Sequence, residues 1–281
     1  MSCTPEELDT ICDLVNELCG VYLDESKDYL IEGRLGKLLD STGSADFREL
    51  ARKVRADRKL QESVVDAITT NETLWFRDTT PFDALRYKIL PELIDSKSGT
   101  PFPKKFRIWS AASSTGQEAY SIAMAFADVV QDFESWDLQI LGTDVSPAAV
   151  ETAKKGEYSM LEVKRGLTQK YLGAYFLRNP GGYVVNDVLR SRTNFQVRNL
   201  LRPLNDLGKF DVIFCRNVSI YFTREDRTML FKRIGRMLNP GGWLFTGSGE
   251  SLADLGPNWA PKRHCRAVCY QPNGSNGVAT P

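Results

Sequence analysis

From residue 106 onward the apolar spacing changes repeatedly. Short apolar runs, "FRIWSA", "LQILGTD", "FDVIFCR", "GWLFTGSG" and finally "RAVCYQ", are interleaved with helical stretches over 117–131, 147–155 and 223–238. Strands that alternate with helices imply an α/β fold with a mostly parallel, doubly wound sheet. The unbroken run Val212–Cys215 reads as a central strand, buried on both faces. "GYVVNDVLRSRTNFQVRNL" shows short strands with polar turns and no helix between them, so a small antiparallel insertion is expected at about 181–199.

The first 95 residues carry a different pattern and read as an all-helical N-terminal domain. Thr4 is a natural N-cap, followed by Pro5 and by Glu7 at the capping-box position. Leu8, Ile11, Cys12, Val15, Leu18 and Cys19 recur at helical spacing before Gly20. Further helices fit "YLIEGRLGKLLD", "DFRELARKVRADRKL" as one piece, and "PFDALRYKILPELIDS". Residues 96–105, rich in Ser, Gly, Pro and Lys, read as a linker to a second domain at 106–272, and 273–281 as a disordered tail.

Composition narrows the partners. Lys+Arg and Asp+Glu balance at 36 each, so nothing draws the whole molecule to nucleic acid or an anionic membrane. No apolar run approaches the roughly 20 residues of a spanning helix. The polar N-terminus is unlike a signal peptide, and the six cysteines form no tight framework. A cytoplasmic protein with reduced thiols and no membrane insertion is expected. With His264 the only histidine and no C-x-x-C pair, no metal is expected.

Ligands of open parallel sheets bind at the carboxyl ends of the strands. Three such ends here are polar. In "SAASSTGQE" the small residues let a ligand approach the backbone, but with Gly116 alone the loop lacks the glycines of a phosphate site. Glu118 in the following helix is either a capping acid or the answer to a positive group on the ligand. Asp144, ahead of Ser146-Pro147, is either a helix-end acid or a ribose acceptor. Arg216 and Asn217 end the strand "FDVIFCR", with Tyr221 just beyond; a buried arginine needs a partner. Outside the sheet, "ITTNETLWFRD" sets Asn71, Thr73 and Arg77 among Leu74, Trp75 and Phe76, a pattern compatible with inter-domain packing or with a site.

"TNETLWFRD", "WSAASSTGQEAYSIA", "LGTDVSPAAVETAKKGEYS" and "FDVIFCRNVSIYF", in this order and at these separations, resemble the CheR-type chemoreceptor glutamate methyltransferases over nearly the whole chain. The resemblance implies a Rossmann-like methyltransferase domain behind the helical one. It implies S-adenosylmethionine as donor, S-adenosylhomocysteine as product, and glutamates of a chemoreceptor's cytoplasmic domain as acceptors. Cofactor contacts would fall on Asn71, Thr73, Arg77, Glu118, Asp144, Asn199, Leu200, Arg216 and Asn217, with Arg77, Arg216 and Tyr221 at the chemistry. Two departures, Gln117 and Ala119 around Glu118, leave that acid in place. The short turn in "RNPGGYVV" argues against tethering to a receptor's C-terminal pentapeptide. A monomer is expected.

Methyl transfer to a carboxylate needs no general base, because a glutamate with a pKa near about 4.3 is already ionised. A guanidinium suits such an acceptor, so either Arg216 or Arg77 would orient it. Arg48, Arg52, Arg55 and Lys59 lie on one helical stripe, either a solvated face or a dock for an acidic helix. Rival readings are a methyltransferase of another substrate and a non-catalytic cofactor-sensing protein. The first lacks the Pro-Pro strand end of amino-group methylases, and the second has no need of Arg77, Arg216 and Tyr221.

Overall fold

A computed structural model describes residues 4–23 and 28–273. The expected disordered tail, from residue 274 on, and Cys3 lie outside the described residues. The helical part consists of α1 (Pro5–Cys19), α2 (Asp28–Ser41), α3 (Phe47–Ala56) and α4 (Arg58–Ile68). Its start follows the sequence: Thr4 and Glu7 exchange both capping-box bonds, at 2.8 and 3.3 Å. Gly20 ends α1 at φ 78°. The single helix expected over 46–60 is broken in two. Asp57 leaves helical geometry at φ −129° and accepts from the Lys59 and Leu60 amides, so it caps a new helix. Ile11, Leu14, Leu35, Leu50 and Val54 fill the core of these four helices.

A helical arm follows: α5 (Thr80–Ala84), a π turn (Leu85–Ile89) and α6 (Leu90–Lys97). Pro91 lies at the start of α6 and cannot donate the main-chain bond a regular helix would need there, which accounts for the widened turn before it. The linker is shorter than expected, since α6 runs to Lys97 and the first strand opens at Lys105.

The remaining elements are β1 (Lys105–Ala111), α7 (Gln117–Ala127), β2 (Asp137–Asp144), α8 (Pro147–Lys155), β3 (Glu157–Tyr158), α9 (Met160–Lys164), α10 (Gln169–Tyr175), β4 (Phe176–Asn179), β5 (Gly182–Val185), α11 (Asp187–Arg190), β6 (Thr193–Val197), β7 (Phe210–Cys215), α12 (Arg224–Met237), β8 (Leu238–Thr246), β9 (Trp259–His264) and β10 (Ala267–Pro272). The main sheet has the order β6-β2-β1-β7-β8-β10-β9. It is parallel from β6 to β8 and antiparallel at β10 and β9. Every residue of β7 is buried, as its apolar run requires. Two cores flank the sheet, one under α7 and the arm and one under α12.

The separate antiparallel sheet exists, with the order β3-β5-β4, but only β5 of it falls within 181–199. It is built from 157–185, whereas Thr193–Val197 pairs with β2 in the main sheet, and α11 interrupts what reads as helix-free. Strand order reverses between β1 and β7, so the open crevice of a doubly wound sheet lies beyond their carboxyl ends.

Candidate functional site

The three polar strand ends and the 68–78 stretch meet in one cleft between the helical domain and the sheet. Asn71, Thr73, Arg77, Glu118, Asp144, Leu200, Arg216, Asn217 and Tyr221 all line it. Asn199 does not. Its side chain donates to the Leu18 carbonyl at 3.0 Å and accepts from the Leu201 amide at 2.8 Å, so it ties the end of α1 to the loop while Leu200 takes the wall.

The turn after β1 is compact because its neighbours leave no room. A Cβ on Gly116, at φ 98°, would sit 2.9 Å from Ala153 Cβ and 3.0 Å from the Tyr158 hydroxyl. Ala112, Ser114 and Asn217, none of them glycine, hold φ between 49° and 59° around the cleft, the kind of local strain that collects at functional sites. Glu118 is no helix cap. Its carboxylate accepts from Ser110 Oγ at 2.8 Å and from Arg216 at 2.9 Å. Burial raises its pKa, and the Arg216 guanidinium works against that rise. Asp144 accepts from the amides of Ser114 (2.8 Å) and Ser146 (3.0 Å). Its pKa is also raised by burial, with those two amides opposing. Ser146, not Asp144, caps α8.

Arg216 is almost sealed from water, its side chain 1% exposed. It donates to Glu118, to Asp78 at 2.8 Å and to the Arg77 carbonyl at 2.9 Å, and its buried Nε has no partner among the described residues. Arg77 is different: half-buried, it gives one hydrogen bond to the Glu72 carbonyl at 3.0 Å and pairs with no carboxylate among the described residues. Tyr221 stands at the mouth, fixed through its backbone carbonyl by the Tyr22 amide at 2.8 Å. Its hydroxyl makes no hydrogen bond among the described residues.

The aromatics of 68–78 serve packing. Trp75 meets Tyr158 and Phe176 edge-on, and Phe76 stacks on Tyr171. The stretch therefore does both jobs: Trp75 and Phe76 pack against the insertion, while Asn71, Thr73, Leu74 and Arg77 line the cleft. Asp66 of α4 completes the joint by accepting from Ser146 Oγ at 2.6 Å and the Ala148 amide at 3.2 Å. No pattern in the sequence marks that acid. Nor is the role of Glu250 marked, although an acid directly after a glycine-rich strand end is a signal of a kind; its carboxylate binds the Asn217 turn.

The basic stripe is less free than its spacing suggests. Arg48 pairs with Glu6 and Arg55 with Glu17 at 3.5 Å, both acids of α1. Lys59 belongs to α4 rather than α3. Arg52 and Lys59 are exposed and make no ion pair among the described residues.

The acceptors fit the expected cofactor. Two largely buried carboxylates, Asp144 at the end of β2 and Glu118 in the first turn of α7, face one cleft behind a small-residue turn, which suits a ligand with a cationic end and a pair of hydroxyls. Among the described residues, no group of three or more His, Cys, Asp or Glu could hold a metal, and no helix is long and apolar enough to cross a membrane.

Residues 6–69 match the family model of the CheR methyltransferase all-alpha domain, and residues 71–268 that of the CheR methyltransferase SAM binding domain. The chain is 42% identical over 280 residues to chemotaxis protein methyltransferase 1 of Pseudomonas aeruginosa, covering 96% of this chain and 99% of that one. It is 41% identical over 258 residues to the chemotaxis protein methyltransferase of Vibrio parahaemolyticus, covering 90% and 92%. With the chemotaxis protein methyltransferase of Salmonella typhimurium it shares 33% over 252 residues, covering 87% and 83%.

Proposed function

The chain belongs to the CheR methyltransferase family, and on that premise we propose that it esterifies glutamate side chains on the cytoplasmic helices of a chemoreceptor. The observation that carries the reading is the division of labour between two arginines. Arg216 is saturated by Glu118, Asp78 and a carbonyl, whereas Arg77 keeps most of its donors free at the same cleft. A third carboxylate beside Arg216 would add repulsion, so Arg77 takes the acceptor glutamate and Arg216 holds the pocket acids in place.

S-adenosylmethionine, when bound, supplies a methyl group on a positively charged sulfur. Glu118 would hold its amino end and Asp144 its ribose hydroxyls, with Asn71, Thr73, Leu200 and Asn217 as the surrounding wall. Asp144 uses one acceptor site on each oxygen for backbone amides, which leaves the others for the ribose. Arg77 fixes the acceptor carboxylate from one side and the free Tyr221 hydroxyl donates to it from the other. No residue has to remove a proton. The chain works by alignment and by keeping water out while opposite charges cancel.

Arg52 and Lys59, with Arg48 and Arg55 partly neutralised beside them, form the dock for an acidic receptor helix. The two-residue turn between β4 and β5, Pro180-Gly181, is short, and the enzyme is read as working in the cytoplasm, as a monomer, without a pentapeptide tether. The test is incubation with methyl-labelled S-adenosylmethionine and receptor cytoplasmic fragments. Base-labile label on receptor glutamates is expected. Base-stable label, or none across several receptors, would overturn the reading.

A further inference from the structure

We infer that Glu250 is a positioning residue for methyl transfer: it holds the turn that carries Asn217 and Tyr221 into the cleft. The inference rests on the proposed function and extends it to a residue outside the cleft wall. Glu250 follows β8, and five donors converge on its carboxylate. Oε2 accepts from the Asn217 amide at 2.6 Å and the Gly247 amide at 2.7 Å. Oε1 accepts from the Val218 amide at 3.1 Å, and from the Ser219 amide and hydroxyl, both at 2.8 Å. A carboxylate offers about four lone-pair sites, so this one is saturated. It is buried and makes no ion pair among the described residues. Three consecutive amides, 217 to 219, close on it as a backbone nest closes on an anion, but the anion is the protein's own.

The bonds tie the ends of two neighbouring parallel strands together at the point where the chain must turn. Asn217 is held at φ 57°, a conformation a non-glycine residue keeps only when its surroundings enforce it. The 3-10 turn Ser219–Tyr221 begins at the residue Glu250 grips twice. Packing is tight: a Cβ on Gly247 would lie 2.5 Å from Glu250 Oε2 and 2.7 Å from Asn217 Nδ2. Glu250 itself lines the neighbouring cavity with Trp259 and Tyr270, not the cleft, so it acts on the cleft through the 217–219 turn.

Glu250→Gln keeps the shape but turns one acceptor into a donor pair, which then faces at least two amides with nothing to accept them. A displacement of the turn by about 1 Å lowers kcat on receptor fragments on the order of 100-fold. The receptor KM stays within about threefold, and S-adenosylhomocysteine binding weakens by about three- to tenfold through Asn217. A folded variant with kcat within about threefold of wild type would overturn the inference. If the variant does not fold, Ser219→Ala decides, since it removes one of the five donors. A kcat lowered more than about threefold supports the inference, and a wild-type kcat overturns it. Wild-type protein serves as the control for the underlying reading. Should it label no receptor glutamate, the proposed function fails by itself, and Glu250 is judged on S-adenosylhomocysteine affinity, which must fall in the variant.

Discussion

Arg216 and Glu118 lie 2.9 Å apart where the ends of β7 and β1 meet, with side chains only 1% and 12% exposed. Each helps the other carry its charge in a place with little access to water. The pair is also the floor of the cleft, because Ser110 fixes the second oxygen of Glu118 and Asp78 the second amino group of Arg216.

Removing the arginine should therefore unsettle the whole domain, not only its activity. Arg216→Met leaves Glu118 buried without its cation, a change that typically costs about 3–5 kcal/mol. Urea unfolding should show a loss of that size, while a surface control such as Arg52→Met stays within about 0.5 kcal/mol. A fully stable Arg216→Met protein would mean that Glu118 finds another partner.

The two pocket acids give cofactor binding a defined pH dependence. Burial raises the carboxyls of both Glu118 and Asp144. A raised carboxyl takes up its proton at higher pH than a free one. The pocket thus loses negative charge, and affinity for S-adenosylhomocysteine, as pH falls through the raised values of these two carboxyls. Folding responds with the opposite sign: in the ligand-free protein these two groups favour the folded state at low pH, and that contribution is lost as pH rises through their folded values. Glu118→Gln should bind about 10- to 100-fold more weakly near neutral pH, as loss of a hydrogen bond to a charged group implies, with a flatter pH profile. Calorimetric affinities that do not change with pH in the wild type would remove both acids from the binding role.

Much of this is written in the sequence because it rests on local pattern. Short apolar runs mark β1, β2 and β7, unbroken only at Val212–Cys215, and the polar residues that follow them fall at the sheet's carboxyl edge. What escapes is non-local. Thr193–Val197 alternates Asn194 and Gln196 with apolar residues, as an antiparallel strand would, and only its pairing with β2 reveals an edge strand of the main sheet. The break at Asp57 hides in continuing helical periodicity, because a capping side chain rather than a glycine or proline makes it. Asn199 ties its loop to the Leu18 carbonyl of α1, and only its neighbour Leu200 lines the cleft. Glu250 acts on main-chain amides 31 to 33 residues earlier, a relationship with no trace in residue type.

If Arg77 rather than Arg216 meets the acceptor, its loss should strike turnover before stability. Arg77→Lys keeps the charge but not the planar fork that grips a carboxylate. The expected result is a fall in kcat on the order of 10- to 100-fold, with urea stability within about 0.5 kcal/mol of wild type. A variant with normal turnover would return the acceptor to another residue.

Gly166 sets where the 71–78 stretch can lie. At φ 112°, its added Cβ would come within 2.1 Å of the Trp75 carbonyl oxygen, an atom of the main chain that cannot swing away. Gly166→Ala should cost about 1–3 kcal/mol in strain alone. Because Trp75 and Arg77 share one short stretch, receptor methylation should fall further than stability does. A variant matching wild type in both unfolding and methylation would show that the contact relaxes freely.

The docking surface makes the last prediction, and the ion pairs choose its residues. Reversing Arg55 would also set it against Glu17, and reversing Arg48 against Glu6, so either change confounds docking with damage inside the helical domain. Arg52 and Lys59 carry no such partner among the described residues. The double variant Arg52→Glu, Lys59→Glu should raise the KM for receptor fragments by about tenfold, since like charges across an interface cost several kcal/mol at most and less when exposed. The effect should shrink with added salt, which screens exposed charges beyond about 10 Å at 0.1 M. S-adenosylhomocysteine affinity should not move. A KM unchanged at low salt would leave the stripe as a solvated face and place receptor recognition elsewhere on the molecule.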